Sequence, residues 1–356
     1  MGLKILHSAD WHLDSPFSSL PSQAREGLRQ AQRKLPGLVG QLLRQEQCDL
    51  ALLAGDLFDG APSRETVEGL KRELSRWDVP VCIAPGNHDF CDPSSPWLTE
   101  SWPENVHIFT GGMAYIDFPA LSLRVYGAGY RSMDCPPLLA GFRAGGDARW
   151  CVGVLHGDPM NLSSPYCPVT AAQVRESGLD YLALGHIHTG GSFRAGDTLC
   201  AWPGCPMGRG WDETGDKGIL IVNLDQTPSA LPAVLPLPKF HDLRVRVNRD
   251  APAALDAVLP PAESADLFRV TLEGSGTTDL GALKARYSHL GYLELRDERE
   301  EERDPFDLSD QDSLRGVFFR LLEEQLEGAD PEQAEIIRLA AELSARLLDG
   351  KEVTLP

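Results

Sequence analysis

The chain has 356 residues, 42% hydrophobic and 24% charged, an ordinary globular balance with room for a core domain and one or two small appendages. No apolar run approaches the roughly 20 residues that span a bilayer. A net charge of −19 excludes a general nucleic-acid coat protein, whose affinity comes from Lys and Arg neutralising phosphates. The acidity is uneven: residues 1–240 carry 19 basic and 26 acidic side chains, and residues 241–356 carry 14 and 26. The N-terminus enters Leu3-Lys4-Ile5-Leu6 without the layout of a signal peptide, so a cytoplasmic protein is expected. Eight cysteines with no CxxC pair read as reduced residues in such a chain.

In chain order, short apolar runs alternate with helical stretches over the first 225 residues, the pattern of a layered α/β domain. Strands are expected at Lys4–Ser8, Leu50–Ala54, Val81–Ala84, Leu121–Tyr126, Val152–Leu155, Tyr181–Leu184 and Gly218–Asn223. Leu28, Leu35, Val39 and Leu42 fall at helical spacing in a helix over 22–46, and a second helix over 64–77 opens on Ser63 as N-cap. Residues 226–239 hold four prolines in the thirteen positions 226–238 and read as an extended connector rather than a regular element. Residues 240–296 follow as a small α+β unit, with strands at Leu243–Val247, Leu267–Leu272 and Tyr292–Leu295 and helices at Pro252–Val258 and Leu280–Leu290. An acidic run, 297–312, reads as a solvated linker. Two amphipathic helices, 313–327 and 331–348, end the chain, with Leu314, Val317, Phe318, Leu321 and Leu322 on one face of the first.

Nearly every polar residue of interest lies just after one of these strands. Five segments stand out: Asp10-Trp11-His12, Gly55-Asp56-Leu57-Phe58-Asp59, Gly86-Asn87-His88-Asp89, His156-Gly157 and Gly185-His186-Ile187-His188. Their imidazoles, carboxylates and carboxamide suit Mn²⁺, Fe or Zn²⁺ better than a thiolate site would. Residues two apart on an extended strand end point the same way, so Asp10 with His12, or His186 with His188, can face one cleft. A parallel-rich sheet brings several such ends to one edge, where ligands bind. Four or five ends can close around two ions about 3.5–4 Å apart, the spacing of two-metal phosphate-transfer sites. A lone DxH or HxH means little; six of nine histidines in this order, each beside a strand end, mean more. His7 reads as a structural or supporting residue, and His107, His241 and His289 as ordinary ones.

At these residues the chain resembles the calcineurin-like metallophosphoesterase superfamily, whose motifs DxH, GDxxD, GNH[DE], His-Gly and GHxH all occur in order across residues 10–188. The run from Leu6 to Phe17 and the segment from Trp202 to Gly218 resemble, more narrowly, the SbcD/YhaO branch of DNA-repair exonucleases. The resemblance implies a four-layer αββα sandwich with a small α+β C-terminal unit and a terminal helical segment. It implies two divalent ions, Mn²⁺ first, with Mg²⁺, Fe or Zn²⁺ as alternatives. Asp10, His12, Asp56 and His188 would bind one ion; Asp56, Asn87, His156 and His186 would bind the other, with Asp56 bridging. His88 would be the catalytic residue outside the ligand set, Asp89 its orienting partner, and Asp59 a support for its loop.

The reaction then expected is phosphodiester hydrolysis, in which a hydroxide formed from water shared by two ions attacks phosphorus in line and a protonated His88 stabilises the growing phosphoryl charge or protonates the departing alkoxide. Arg209 and Lys217 are candidate phosphate contacts and Trp211 a stacking face for DNA. The metal motifs recognise phosphate and do not choose among DNA, a cyclic nucleotide, a small phosphodiester and a phosphoprotein. The resemblance further implies an SMC-like coiled-coil ATPase of the SbcC/YhaN type as partner, docked by the last helices at Phe318, Phe319, Leu321 and Leu322, and allows a homodimer. An interaction subunit of such a complex is therefore the competing reading.

Overall fold

The computed structural model of the protein describes residues 2–247, 250–276, 278–299, 304–309 and 312–350. Residues 300–303 and 310–311 of the expected acidic linker, and 351–356 after the last helix, lie outside them. Packing divides the chain into two units: residues 1–243, 260–270 and 287–294 form the larger, and 244–259, 271–286 and 295–356 the smaller.

The larger unit begins with β1 (Leu3–Ser8), α1 (Ser22–Gln45), β2 (Leu50–Leu53), α2 (Arg64–Leu74), β3 (Val81–Ile83), the one-turn α3 (Pro96–Thr99) and β4 (Val106–Ile108). A second sheet follows from β5 (Ala114–Phe118), β6 (Leu123–Gly127), β7 (Trp150–His156), α4 (Ala171–Glu176), β8 (Tyr181–Gly185), β9 (Gly191–Ala195) and β10 (Thr198–Trp202). The chain then returns through β11 (Gly218–Leu224) and β12 (Ser229–Val234). The sheets are ordered β12-β11-β1-β2-β3-β4 and β5-β6-β7-β8-β10-β9. Parallel pairing joins β1 to β4 in the first and β6 through β8 to β10 in the second, which brings the carboxyl ends of β1, β2 and β3, and of β7 and β8, to common edges.

Side-chain alternation builds the layers. In β1 and β2, Leu6, Ala51 and Leu53 face the helices with Leu28, Leu35, Val39, Leu70 and Leu74, while Ile5, Leu50 and Leu52 face the other sheet. The second sheet sends Val152, Val154, Tyr181 and Ala183 to meet them and Leu155, Leu182 and Leu184 outward against Val174 of α4. The order is therefore helix, sheet, sheet, helix. Strands buried on both faces read as unbroken apolar runs, as Leu50-Ala51-Leu52-Leu53 does. Ser63 caps α2, its Oγ accepting from Thr66 N at 3.2 Å.

The Pro-rich stretch differs from the sequence reading: part of it is the strand β12, paired antiparallel with β11. β12 is the outermost strand, so Pro232, which cannot donate to a ladder, costs no bond on its open side.

A third sheet has the order β13 (Phe240–Val247), β14 (Ser264–Gly274), β15 (Leu290–Asp297), and the division between units passes through its strands. The smaller unit also holds α5 (Ala251–Asp256), α6 (Leu280–Arg286), a 3₁₀ turn at Pro305–Leu308, α7 (Leu314–Glu327) and α8 (Pro331–Leu348). Arg315 of α7 is bonded to Asp349 and to the carbonyl of Ala345 at the end of α8. Phe319 is fully buried, whereas Leu314, Val317, Phe318 and Leu321 of α7 and Ile336, Leu339 and Leu347 of α8 are exposed. Among the described residues no helix is long and apolar enough to cross a membrane.

Candidate metal centre

The loops after β1 and β2 zip together. Asp10 N donates to Gly55 O, His12 N to Asp56 O and Leu13 N to Leu57 O, at 2.8–3.0 Å. Asp10, His12 and Asp56 have φ of 55°, 46° and 51°. The strand periodicity proposed for Asp10 and His12 is thus not what aims them: both lie past the end of β1, in a loop whose alternate residues are left-handed, and the backbone ladder to the β2 loop fixes their direction. Such conformations cost of order 1–3 kcal/mol each and persist where the surroundings impose them.

The second sheet supplies His156 at the end of β7 and His186 and His188 after β8. His156 Nδ1 donates to Ala54 O at 2.9 Å, which leaves Nε2 facing Asn87 Oδ1 at 2.9 Å and Asp56 Oδ2 at 3.4 Å. His186 Nδ1 lies 3.3 Å from Asn87 Oδ1, and its backbone N donates to Asp10 Oδ1 at 3.0 Å. His188 Nε2 lies 3.2 Å from His12 Nε2 and 3.9 Å from Asp10 Oδ1. The sheets approach so closely here that a Cβ on Gly185 would stand 2.1 Å from Ala54 O, and one on Gly86 2.8 Å from the His156 ring. Close approach, rather than turn geometry, requires glycine at these two positions. His7, buried in β1, accepts from the Tyr181 hydroxyl at 2.7 Å and donates to Leu184 O at 3.0 Å, tying the sheets together as a neutral ring. Burial lowers its pKa to about 3.

His88 is half-exposed at the rim, and its partner is not Asp89. His88 Nδ1 lies 3.2 Å from Asp59 Oδ1, whereas the buried Asp89 carboxylate accepts from the backbone N–H groups of Gly86 at 2.7 Å, Leu57 at 2.8 Å and Asp56 at 3.2 Å. With Phe58 N at 3.4 Å as a fourth, these main-chain donors outcompete one ring, so Asp89 stitches the β2 loop to the β3 loop and Asp59 orients His88. The Asp59 carboxylate raises the His88 pKa, and Asp59 itself is held well below the usual carboxylate range by His12 and His88. Burial and the charge of Asp56 push Asp89 up to about 6.

Arg209 belongs to the same cluster. Its Nη2 donates to Glu213 Oε1 at 3.2 Å and its Nη1 lies 3.9 Å from Asp59 Oδ1. Lys217 sits four residues past Glu213, just before β11, and is half-buried. Trp211 does not offer an open stacking face: the Arg269 guanidinium lies 4.1 Å over its ring and Phe240 meets it edge-on. Sequence reasoning missed Glu213, whose Oε1 accepts from His188 Nδ1 at 2.6 Å, and Gln32, whose Nε2 donates to His12 O at 2.7 Å. It also missed Asp158, 3.8 Å from His186 Nε2, and Tyr166, whose ring centroid lies 5.0 Å from that of His186. Of these only Glu213 carried a signal, standing inside the segment that resembled the SbcD/YhaO branch.

The donor set fits divalent ions. Asp10, His12 and His188 present ligand atoms within 4.8 Å of one another, as do Asp10, Asp56 and His156. Two imidazole nitrogens 3.2 Å apart are at the spacing of neighbouring ligands that each stand about 2.0–2.2 Å from one ion. The electrostatics call for a cation as well. Burial raises the pKa of Asp10, assisted by the charge of Asp56. Burial also opposes ionisation of Asp56, but the imidazoles of His156, His12 and His88 outweigh it and hold Asp56 well below the usual range. His156 responds in kind: burial alone would lower its pKa, and Asp56 and Asp10 raise it to about 10.

Residues 3–190, just over half of the chain, match the family model of calcineurin-like phosphoesterases. The chain belongs to that family and is a metal-dependent phosphoesterase. Among its relatives is YhaO of Bacillus subtilis (strain 168), described as an uncharacterized metallophosphoesterase, at 34% identity over 237 residues. That match covers 62% of this chain and 57% of YhaO, less than two thirds of the relative's length. The SbcD component of the nuclease SbcCD from the same strain is 23% identical over 406 aligned positions, covering 96% of this chain and 98% of that one. A solved dimetal phosphatase from Danio rerio shares 15% identity over 65% of this chain and 98% of its own, with a TM-score of 0.44.

Proposed function

We propose that this chain is a nuclease of the DNA-repair type. Asp10, His12, Asp56 and His188 would hold one divalent ion, Asp56, Asn87, His156 and His186 the second, and Asp56 would be shared. The observation that carries this reading is the convergence of oxygen and imidazole donors from the ends of β1, β2, β3, β7 and β8 on one cluster, in which the buried Asp56 Oδ2 lies 3.8 Å from His12 Nε2 and 3.4 Å from His156 Nε2. When bound, two such ions, Mn²⁺ in the first instance, polarise a phosphoryl oxygen and lower the pKa of water at the site.

The chain's own residues do the rest. Asp59 holds the half-exposed His88 ring by Nδ1, which positions a proton donor for the leaving oxygen outside the ligand set. Asp89 and Gln32 fix the ligand loops through backbone contacts. Lys217 and the exposed edge of Arg209 are the proposed phosphate contacts. DNA is favoured as substrate because a nuclease component aligns with nearly the whole chain. The exposed apolar side chains of α7 and α8 favour docking of a coiled-coil ATPase of the SbcC type. On this reading residues 1–225 are the nuclease domain, 240–296 a capping domain and 313–356 the docking segment.

The test incubates purified protein with Mn²⁺ or Mg²⁺ and end-labelled linear DNA, closed circular DNA or a generic phosphodiester, with Asp56→Asn as control. Metal-dependent cleavage of DNA that is lost in Asp56→Asn is expected. Turnover of the generic ester with no DNA cleavage would overturn the substrate, and an unimpaired Asp56→Asn would overturn the site.

A further inference from the structure

The ring of His188 has two neighbours that require opposite tautomers. Glu213 Oε1 lies 2.6 Å from His188 Nδ1, and an ionised carboxylate only accepts, so this contact needs the proton on Nδ1. Arg209 Nη2 lies 3.1 Å from the same nitrogen. A guanidinium only donates, so it can bond Nδ1 only when the proton has moved to Nε2. The consequence for the centre is direct, because His188 Nε2 is the atom 3.2 Å from His12 Nε2. A proton there would fill the position that a ligand lone pair must occupy.

Glu213 is built to win this competition. Its side chain is 8% exposed, Oε2 accepts from Arg209 N at 2.8 Å, and its own N donates to Gly210 O at 3.1 Å. A Cβ on Gly208 would stand 2.4 Å from Glu213 O, so the turn closes tightly on that residue. Arg209 Nη2 also donates to Oε1, which draws the guanidinium to the carboxylate rather than to the ring.

We propose that Glu213 is a positioning residue that holds the His188 proton on Nδ1 and so presents Nε2 to the metal centre, and that Arg209 would reverse the tautomer if Glu213 were removed. This rests on the reading of His188 as a ligand given above. The carboxylate also makes Nε2 a stronger donor toward a cation, as such partners of metal-bound histidines do.

Nitrogen-15 chemical shifts of His188 in the metal-free protein, at about pH 8.5 where an ordinary imidazole is neutral, read the tautomer directly. Wild type is expected to show Nδ1–H, and Nε2–H in wild type overturns the proposal. Glu213→Ala should switch to Nε2–H and weaken calorimetric Mn²⁺ binding at one of two sites about 10–100-fold. Glu213→Gln, whose side-chain carbonyl can still accept from Nδ1–H, should keep the wild-type tautomer, and it guards against a folding failure of the alanine variant. Adding Arg209→Ala to Glu213→Ala should recover about tenfold in Mn²⁺ affinity. An unchanged tautomer in Glu213→Ala, or no recovery in the double variant, overturns the proposal. Asp56→Asn separates the two readings: if it retains both ions, the metal centre itself is misassigned. If it loses an ion while Glu213→Ala keeps wild-type affinity and tautomer, only the role of Glu213 fails.

Discussion

The two sheets of the larger unit bring unlike chemistry to their common seam. From the first come Asp10, Asp56 and Asp59 with His12, Asn87 and His88; from the second, the ligand candidates are all imidazoles, His156, His186 and His188. Each side is electrostatically incomplete. Asp10 and Asp56 of the first sheet are buried beside one another, and the rings of His188 and His156 reach across to them at 3.9 and 3.4 Å. The site is therefore a product of sheet packing, since neither sheet alone holds a full ligand set. His7 and the cluster around Leu52 and Val154 join the two sheets and so set the distance between the halves of the site.

That division can be broken at its centre or at its margins. Asp56→Ala, which removes the carboxylate facing rings of both sheets, should lower kcat/KM at least about 10³-fold, since each ion supplies several kcal/mol of charge stabilisation; steady-state kinetics on DNA measures it. Leu52→Ala opens a cavity between the sheets and should cost about 2–5 kcal/mol in urea unfolding. If its activity survives undiminished at low denaturant, sheet spacing does not govern the site. Gly185→Ala overpacks the seam itself and should cost about 1–3 kcal/mol while weakening Mn²⁺ binding, read by calorimetry. Leu321→Ser, on α7 of the smaller unit, should change stability by less than about 0.5 kcal/mol and leave turnover of the isolated chain intact. Loss of turnover there would mean that the chemistry is not confined to the two sheets.

What the sequence made legible follows the same geometry. Donors such as Asp56 and His186 stood out because each follows a buried apolar strand and a glycine, and that glycine at 185 answers to the approach of Ala54 O. The four edge strands of the two large sheets, β4, β5, β9 and β12, escaped notice, and so did the internal β10. An edge strand is half-exposed and lacks an unbroken apolar run: β9 reads Gly191-Ser192-Phe193-Arg194-Ala195, and β12 contains a proline. Partner choice within the site was equally hidden. Asp89 adjoins His88 in sequence and Asp59 lies 29 positions away, and only the four backbone N–H groups that claim Asp89 decide between them. The pairing of Glu213 with His188 spans 25 positions and leaves no periodic trace.

The left-handed backbone at Asp10, His12, Asp56 and His186 carries one last implication. Glycine would adopt those angles more readily than the residues present, and it would also remove buried charge from Asp10 and Asp56. A screen that rewards heat resistance alone should therefore drift toward replacing these proposed ligands first, and would return sturdier proteins without turnover. On the proposed ligand roles, these four side chains serve turnover against the backbone's own conformational preference.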